Sequence, residues 1–280
     1  MVLLVDRALC LHRYAFSESS LVAHVLTQHH GRVHLLARGA YRTTSRFFAV
    51  IDLFDELELE WEHSPKRELQ TLRAGRMVTR RRALVENLAA FEAGGTILEL
   101  CDIAARHETH DAGLFAWAST ALDELVEVTT TSRTPEEVLV RSELSFLQHL
   151  GLTPALEACA SCGGEAPPIA RVPEERAAFS AGAGGRLCRR CADEARAAGR
   201  RVGTLPVRVL EDGRDLASPD ARMRPPLDAR RVERVRDFVG RFLDYHLETR
   251  PRSQRAFLSA PNRNAPPREA AGRATDEPTS

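Results

Sequence analysis

The sequence lacks any hydrophobic run that approaches the ~20 residues a membrane span requires. Residues 1–7 (MVLLVDR) also lack a basic stretch, and Asp6 interrupts the segment where a signal peptide keeps its apolar core. Hydrophobic residues make up 43% of the 280 residues and charged residues 28%, which is typical of soluble globular proteins. We therefore expect a cytoplasmic protein of two or three domains, with no membrane partner.

The common motifs of enzyme active sites are missing as well. There is no glycine-rich loop ending in lysine, no GxGxxG after a strand, no nucleophile elbow and no HExxH. The ten histidines show no metal-ligand spacing, and the carboxylates form no recognisable acid/base pair. The sequence predicts no catalytic residue and no enzyme.

Lysine is almost absent, because Lys66 is the single lysine among 39 basic residues. The net charge is zero, but residues 1–82 carry 13 Arg and Lys against 9 Asp and Glu. Residues 83–158 carry 3 against 13, and residues 159–280 carry 23 against 17. Such asymmetry indicates modules with different partners, so the basic ends are the candidates for binding a polyanion.

The N-terminal part has the period of β-strands. Between residues 49 and 61, Ile51, Leu53, Leu57, Leu59 and Trp61 alternate with acidic or polar residues, which predicts a strand with one buried face. Segments 20–28 and 32–38 flank a short turn containing Gly31 and predict a hairpin, and a fifth strand is expected over 68–74. Five strands within residues 1–80 predict a small closed barrel.

From about residue 79 the apolar period becomes helical. We expect one long helix from Leu84 to Cys101, a second near 114–125, and a third that begins at the N-cap Thr134 and ends at Gly151. A later apolar stripe over 232–247 predicts a helix that packs back on this bundle. The fold class is therefore α+β, with these expected units: the barrel at 1–80, the helical bundle at 81–155 and 200–250, a cysteine-containing ribbon at 156–199, and a disordered tail at 260–280.

Four of the six cysteines form two CxxC pairs, Cys159/Cys162 and Cys188/Cys191, separated by 25 residues. Two such pairs supply the four thiolates of a tetrahedral Zn²⁺ site, with no position open for water or substrate. We predict one structural zinc ion per chain. Two disulfides and a redox-active dithiol are the alternatives, although disulfides are rare in the cytoplasm and a redox dithiol explains only one pair.

A second motif combines arginines with aromatic residues along and after the second hairpin strand. Guanidinium groups bind phosphates, and aromatic faces can stack on unpaired bases, so this segment predicts a nucleic-acid site on the barrel. An ordinary solvated loop is the alternative. The acidic stripe of 56–62 would repel phosphate, so the ligand should lie elsewhere on the barrel. The predicted DNA-binding residues are Arg13, Arg32, Arg38, Tyr41, Arg42, Arg46 and Arg76.

The order of these parts resembles the RecO family, the bacterial recombination mediators of the RecFOR pathway. The resemblance rests on 37–42 (ARGAYR) with 45–47 (SRF), on 184–191 (GGRLCRRC) with the first cysteine pair, and on 252–258 (RSQRAFL). The family often has arginine or lysine where this chain has Tyr41. The resemblance covers essentially residues 1–258.

The resemblance implies an oligonucleotide/oligosaccharide-binding (OB) barrel and a mediator of DNA repair and homologous recombination. It further implies binding to single- and double-stranded DNA, and annealing of complementary strands coated by single-stranded-DNA-binding protein. The implied partners are RecR, the acidic C-terminal tail of that coating protein and, indirectly, the RecA recombinase that is loaded, which would place the chain at the nucleoid. A zinc-ribbon adaptor that binds only proteins is the alternative function, and a dithiol redox enzyme is a third hypothesis.

Overall fold

The computed structural model describes most of the first 247 residues. Within that part, no helix combines the length and the apolar composition that crossing a membrane requires. The tail predicted at 260–280, the motif at 252–258 and Arg46 lie outside the described residues. The described segments are 2–42, 45, 47, 50–105, 109, 111–128, 131–171 and 174–247.

Five N-terminal strands close into a barrel in the order β1-β2-β3-β5-β4, and β4 pairs back onto β1. Among these five, only β3 and β5 run parallel to each other. The alternation predicted a closed barrel, and the OB type is the one that the family resemblance implied. In β4, Leu57, Leu59 and Trp61 are fully buried inside the barrel. The strands are β1 (Val2–Ala15), β2 (Leu21–Thr27), β3 (Gly31–Ala37), β4 (Glu56–His63) and β5 (Leu69–Thr79).

The fourth strand begins later than its alternation predicted, at Glu56 rather than near residue 49. Phe54 has a φ of 70°, a left-handed conformation that interrupts an extended chain. Its buried ring packs so close to Gly94 of the bundle that a Cβ there would lie 2.8 Å from the Phe54 Cε1 atom. Packing between barrel and bundle therefore delays the start of β4 to Glu56. The same packing accounts for Gly94, one of two adjacent glycines in the helix that follows.

The helical bundle follows the barrel directly. The single helix predicted from Leu84 to Cys101 is wrong in one respect: it breaks at Asn87, whose side chain accepts the Ala90 N–H and caps a new helix. Thr134 caps its helix as expected by accepting the Glu137 N–H. The helices are α1 (Ala83–Glu86), α2 (Leu88–Ala104), α3 (Ala112–Glu127) and α4 (Pro135–His149).

The C-terminal part inserts a small sheet before the chain returns to the bundle. Strand β7 pairs antiparallel with β6, β8 and β9, and the last helix, α7, packs against α4 as predicted. The elements are β6 (Ala170–Arg171), β7 (Glu175–Ser180), β8 (Gly185–Leu187), α5 (Arg189–Ala197), β9 (Gly203–Pro206), α6 (Val207–Ala217) and α7 (Ala229–Leu247).

A buried arginine joins the barrel to the bundle. The Arg81 side chain is 1% exposed and donates to the Phe54 carbonyl at 2.7 Å, to Asp123 Oδ1 at 2.7 Å and to Ser119 Oγ at 2.9 Å. Its backbone N–H donates to Asp55 Oδ1 at 2.8 Å. One guanidinium thus links the loop before β4 to helix α3, because a buried charge has to find all its partners within the protein.

Candidate metal centre and nucleic-acid interface

The two CxxC pairs come together in space. The sulfur atoms of Cys159, Cys162, Cys188 and Cys191 all lie within 4.8 Å of one another, and none forms a disulfide. The Cys162 and Cys188 sulfurs are 4.0 Å apart. A tetrahedron with Zn–S bonds of about 2.3 Å has edges of about 3.8 Å, so the four thiols fit a closed zinc site.

Local backbone structure holds each pair in place. In the first knuckle the Gly163 N–H donates to the Cys159 carbonyl at 2.8 Å, and Gly163 takes a φ of 71°, which is natural for glycine. Cys188 is the N-cap of α5, so Cys191 lies one helical turn later. The Ala160 N–H donates to the Arg186 carbonyl at 2.8 Å and ties the first knuckle to the strand before the second.

The environment of Cys159 favours the thiolate, which is the form that binds metal. Burial raises the pKa of this thiol, but the backbone N–H groups of Cys188, Cys162 and Ser161 donate to the sulfur and bring the pKa down to about 6. In contrast, hydrogen bonding with Cys188 and burial raise the pKa of Cys191 to about 12. The two thiols therefore differ in how readily they lose a proton, and binding of a metal ion would release protons from the thiols that still carry them.

The predicted nucleic-acid motif forms a tight turn after β3, which we call the arginine loop (residues 38–42). Gly39 takes a φ of 68°, and the Tyr41 N–H donates to the Ser19 carbonyl at 3.1 Å, which fixes the loop beside the β1–β2 turn. Arg38, Tyr41 and Arg42 are exposed, and Tyr41 retains 40% of its accessible surface. Across the described residues, neither Arg38 nor Arg42 forms an ion pair. In the part of the chain that the structure describes, no carboxylate therefore competes with an anion for these two guanidiniums.

Three other predicted DNA contacts already have acidic partners. Arg13 donates to the Ile51 carbonyl at 2.5 Å and pairs with Asp52. Arg32 bonds to Asp102 of the bundle, through both its carbonyl and its carboxylate. Arg76 makes two hydrogen bonds to Glu58, at 2.7 and 2.8 Å. Each would have to leave a carboxylate to reach a phosphate, so Arg38 and Arg42 are the better placed predictions.

The arginines that bridge the last strand and the first helices are paired in the same way. Arg73 pairs with Glu62 and Arg82 with Glu86, while Arg81 is buried in the junction described above. On the outside of the barrel, Arg76 of β5 lies opposite Glu58 of β4, and Arg73 pairs with Glu62. This outer face is neutralised within the protein and offers no continuous positive track to a phosphate backbone.

Sequence reasoning missed a groove between α7 and the small sheet, which we call the C-terminal groove. It encloses about 410 Å³. Phe179, Phe238 and Phe242 contribute apolar surface, and the Phe179 and Phe238 ring centroids are 5.1 Å apart. The exposed Arg234 and Arg241 lie at its rim. The apolar spacing in the sequence predicted the buried face of α7. Only the tertiary structure places Phe179 of β7 beside that face.

Comparison with known proteins matches both halves of the chain to one family. The family model described as "Recombination protein O N terminal" matches residues 1–81, which contain the barrel. The model described as "Recombination protein O C terminal" matches residues 85–255, which contain the helices and the cysteine cluster.

Individual relatives agree over most of their length. The chain is 31% identical over 259 residues to a protein of Anaeromyxobacter dehalogenans strain 2CP-1, covering 90% of this chain and 96% of the relative. It is 29% identical over 252 residues to a protein of Myxococcus xanthus, covering 89% and 94%. A Symbiobacterium thermophilum protein is 30% identical over 207 residues, covering 74% and 77%. All three relatives carry the name "DNA repair protein RecO".

Proposed function

Because this chain belongs to the RecO family of DNA repair and recombination proteins, we propose that it binds single- and double-stranded DNA through its barrel and anneals complementary strands coated by single-stranded-DNA-binding protein. The observation that carries this proposal is the pair of exposed arginines, Arg38 and Arg42, which protrude from an OB barrel without acidic partners among the described residues. Such a barrel with a basic groove is a common holder of single strands.

Annealing of this kind needs no chemical step and therefore no catalytic residue. Two strands that are held on a basic surface at high local concentration pair faster than free strands, because the protein screens the repulsion between their phosphates. The four-cysteine cluster takes one Zn²⁺ per chain in this proposal. Since all four ligands come from the protein, the metal stabilises the ribbon and does not activate water.

The partners follow from the family and from the distribution of charge. We propose that the chain works with RecR in loading RecA, in the cytoplasm beside the nucleoid. We propose the C-terminal groove as the site for the acidic C-terminal tail of the single-stranded-DNA-binding protein. The carboxylates of the tail would replace Glu174 and Asp237, which line the groove and pair with Arg234 and Arg241. That groove belongs to the basic C-terminal part of the sequence, unlike the acidic helices of 83–158.

Replacing Arg38 and Arg42 with alanine should weaken binding to a fluorescent dT oligonucleotide and make it less dependent on salt. The slope of log K against log[salt] is negative, and each lost phosphate contact on a single strand reduces its magnitude by about 0.7. The double variant should therefore have a slope that is shallower by about 1.4. Anisotropy titrations at several salt concentrations measure this slope. Adding Arg46→Ala to the pair should lower it by about 0.7 more.

The control is Arg82→Ala, which removes an exposed arginine that, unlike Arg38 and Arg42, pairs with a glutamate, Glu86. It should bind DNA as the wild type does. Equal binding by the Arg38→Ala/Arg42→Ala variant would place the DNA site elsewhere. A zinc-loaded, folded wild type that fails to bind at low salt would favour the second candidate, an adaptor that binds only proteins and uses the C-terminal groove.

Charge reversal at the groove tests its proposed ligand. Arg234→Glu with Arg241→Glu should weaken binding of a labelled peptide from the acidic tail by about tenfold, because two favourable contacts near the surface become repulsive. Anisotropy at low salt measures the affinity, and Arg82→Glu controls for the general loss of positive charge. An unchanged affinity in the groove variant would assign the tail to another surface.

A further inference from the structure

A row of aromatic rings crosses the outer face of three barrel strands. His12 of β1 lies opposite His24 of β2, which lies opposite His34 of β3. The His24 and His34 rings stack with centroids 4.0 Å apart and an angle of 21°, and His12 lies 6.0 Å from His24. The Tyr14 ring meets the His24 ring edge-on at 5.8 Å.

The row continues into the turn between β1 and β2. Because alternate strand residues share a face, Tyr14 follows His12 on the outer side, and Phe16 comes two residues later in the β1–β2 turn. Tyr14 is 45% exposed and Phe16 is 60% exposed. We call His12, Tyr14, Phe16, His24 and His34 the ring face.

The helical bundle packs against part of the outer surface of β1 and β2 and leaves the ring face uncovered. Leu9, Leu11 and Leu26 belong to the same buried cluster as the bundle helices, whereas His12 and Tyr14, later in β1, are exposed. OB folds bind oligonucleotides on the face of their second and third strands and on the adjoining loops. His12, Tyr14 and Phe16 are the exposed rings of this face, whereas His24 and His34 are half-buried beside them.

Charge near the ring face also separates it from the acidic side of the barrel. Among the described residues, two carboxylates approach the row: Glu68, 3.8 Å from His34 Nδ1, and Asp102, which is paired with Arg32. Burial lowers the pKa of His24, and the neighbouring His12 lowers it too, against the raising effect of Asp102. A lowered pKa favours the neutral imidazole, in which the central ring offers an aromatic surface.

The arginine loop lies at the end of the ring face. Arg38 follows β3 directly, four residues after His34, and the bond from the Tyr41 N–H to Ser19 holds the loop against the turn that carries Phe16. Phosphate-binding groups and exposed rings therefore adjoin each other on one side of the barrel. This is the combination by which single strands are bound without reading their sequence.

We propose that the ring face stacks on the unpaired bases of a DNA strand whose phosphates run along Arg38 and Arg42. This inference rests on the proposed function and deepens it by naming the surface that distinguishes single strands from duplexes. In a duplex the faces of the bases are covered by their neighbours. Stacking uses only those faces and leaves the pairing edges open, so a strand held here can still meet its complement.

The test compares a dT oligonucleotide with an abasic deoxyribose-phosphate strand of the same length. Tyr14→Ala and His12→Ala should each weaken dT binding about tenfold, since a base–aromatic stack contributes ~1–3 kcal/mol. Tyr14→Ala should change neither binding to the abasic strand nor the salt slope, because tyrosine is not a cation. Tyr14→Phe should bind as the wild type does, and so should Tyr245→Ala, which removes an exposed tyrosine from α7.

The outcomes separate this inference from the proposed function. A wild type that binds neither strand at low salt removes both. If the wild type binds dT, and the Tyr14→Ala and His12→Ala variants bind each strand as tightly as the wild type does, the stacking role of the ring face is wrong. The proposed function would still stand. Photocrosslinking of a 5-bromodeoxyuridine oligonucleotide to the unaltered protein avoids any folding defect: cross-links within 12–16, 22–24 or at His34 support the inference, and cross-links confined to other segments overturn it.

Discussion

Replacing both Cys159 and Cys191 with serine is expected to remove the bound zinc, from one ion per chain to none, and to unfold the ribbon around it. The reason is the small core of that unit. Besides these two cysteines, its buried apolar cluster contains Leu187 and otherwise only alanines: Ala166, Ala178, Ala192 and Ala195. So little apolar surface cannot offset the entropy of ordering the chain. Structural zinc contributes about 10–16 kcal/mol of binding free energy in small zinc domains.

Elemental analysis of the purified protein would measure the metal, and amide hydrogen exchange would measure the loss of protection in the ribbon. Ser161→Ala is the matched control, because it changes an exposed side chain of the same knuckle but leaves the N–H that Cys159 uses. It should keep one zinc ion. If the wild type contains no zinc and mass spectrometry finds two disulfides, the metal site is wrong and the alternative pairing is correct.

Replacing Arg81 with alanine is expected to lower the free energy of unfolding by about 3–5 kcal/mol, which is the usual cost of removing one partner from a buried ionic network. The nearly buried Glu56 carboxylate, 3.6 Å from this guanidinium, would lose one of its two arginine partners, and the Phe54 carbonyl would lose its donor. The barrel and the bundle meet at this point. Both the stability and the cooperativity between the two parts should therefore fall.

Urea denaturation followed by circular dichroism would measure the change. Arg82→Ala is the control: the neighbouring side chain is 75% exposed and pairs with Glu86 of α1, so its loss should shift stability by no more than about 0.5 kcal/mol. If Arg81→Ala unfolds at the same urea concentration as Arg82→Ala, the buried network does not hold the two parts together.

Much of this protein is predictable from its sequence because the signals are local. The alternation around Leu57, Leu59 and Trp61 depends on neighbours two residues apart, and the cap at Thr134 depends on a contact three residues away. The cysteine pairs are similar, since each CxxC forms one knuckle and a structural zinc site needs two. The order of amino acids by itself therefore determines the barrel, the bundle and the two cysteine pairs of the cluster.

Only the tertiary structure decided which of the described arginines pair with carboxylates and which rings come together. Arg76 meets Glu58 across 18 residues and Arg32 meets Asp102 across 70, through strand registers and docking that no local pattern specifies. The stack of His24 on His34 likewise arises because β2 and β3 pair in one register. A shift of one residue in that register would separate the rings, since successive side chains point to opposite faces of a sheet. The sequence contains the arginines and histidines, but strand register and docking determine which residues they contact.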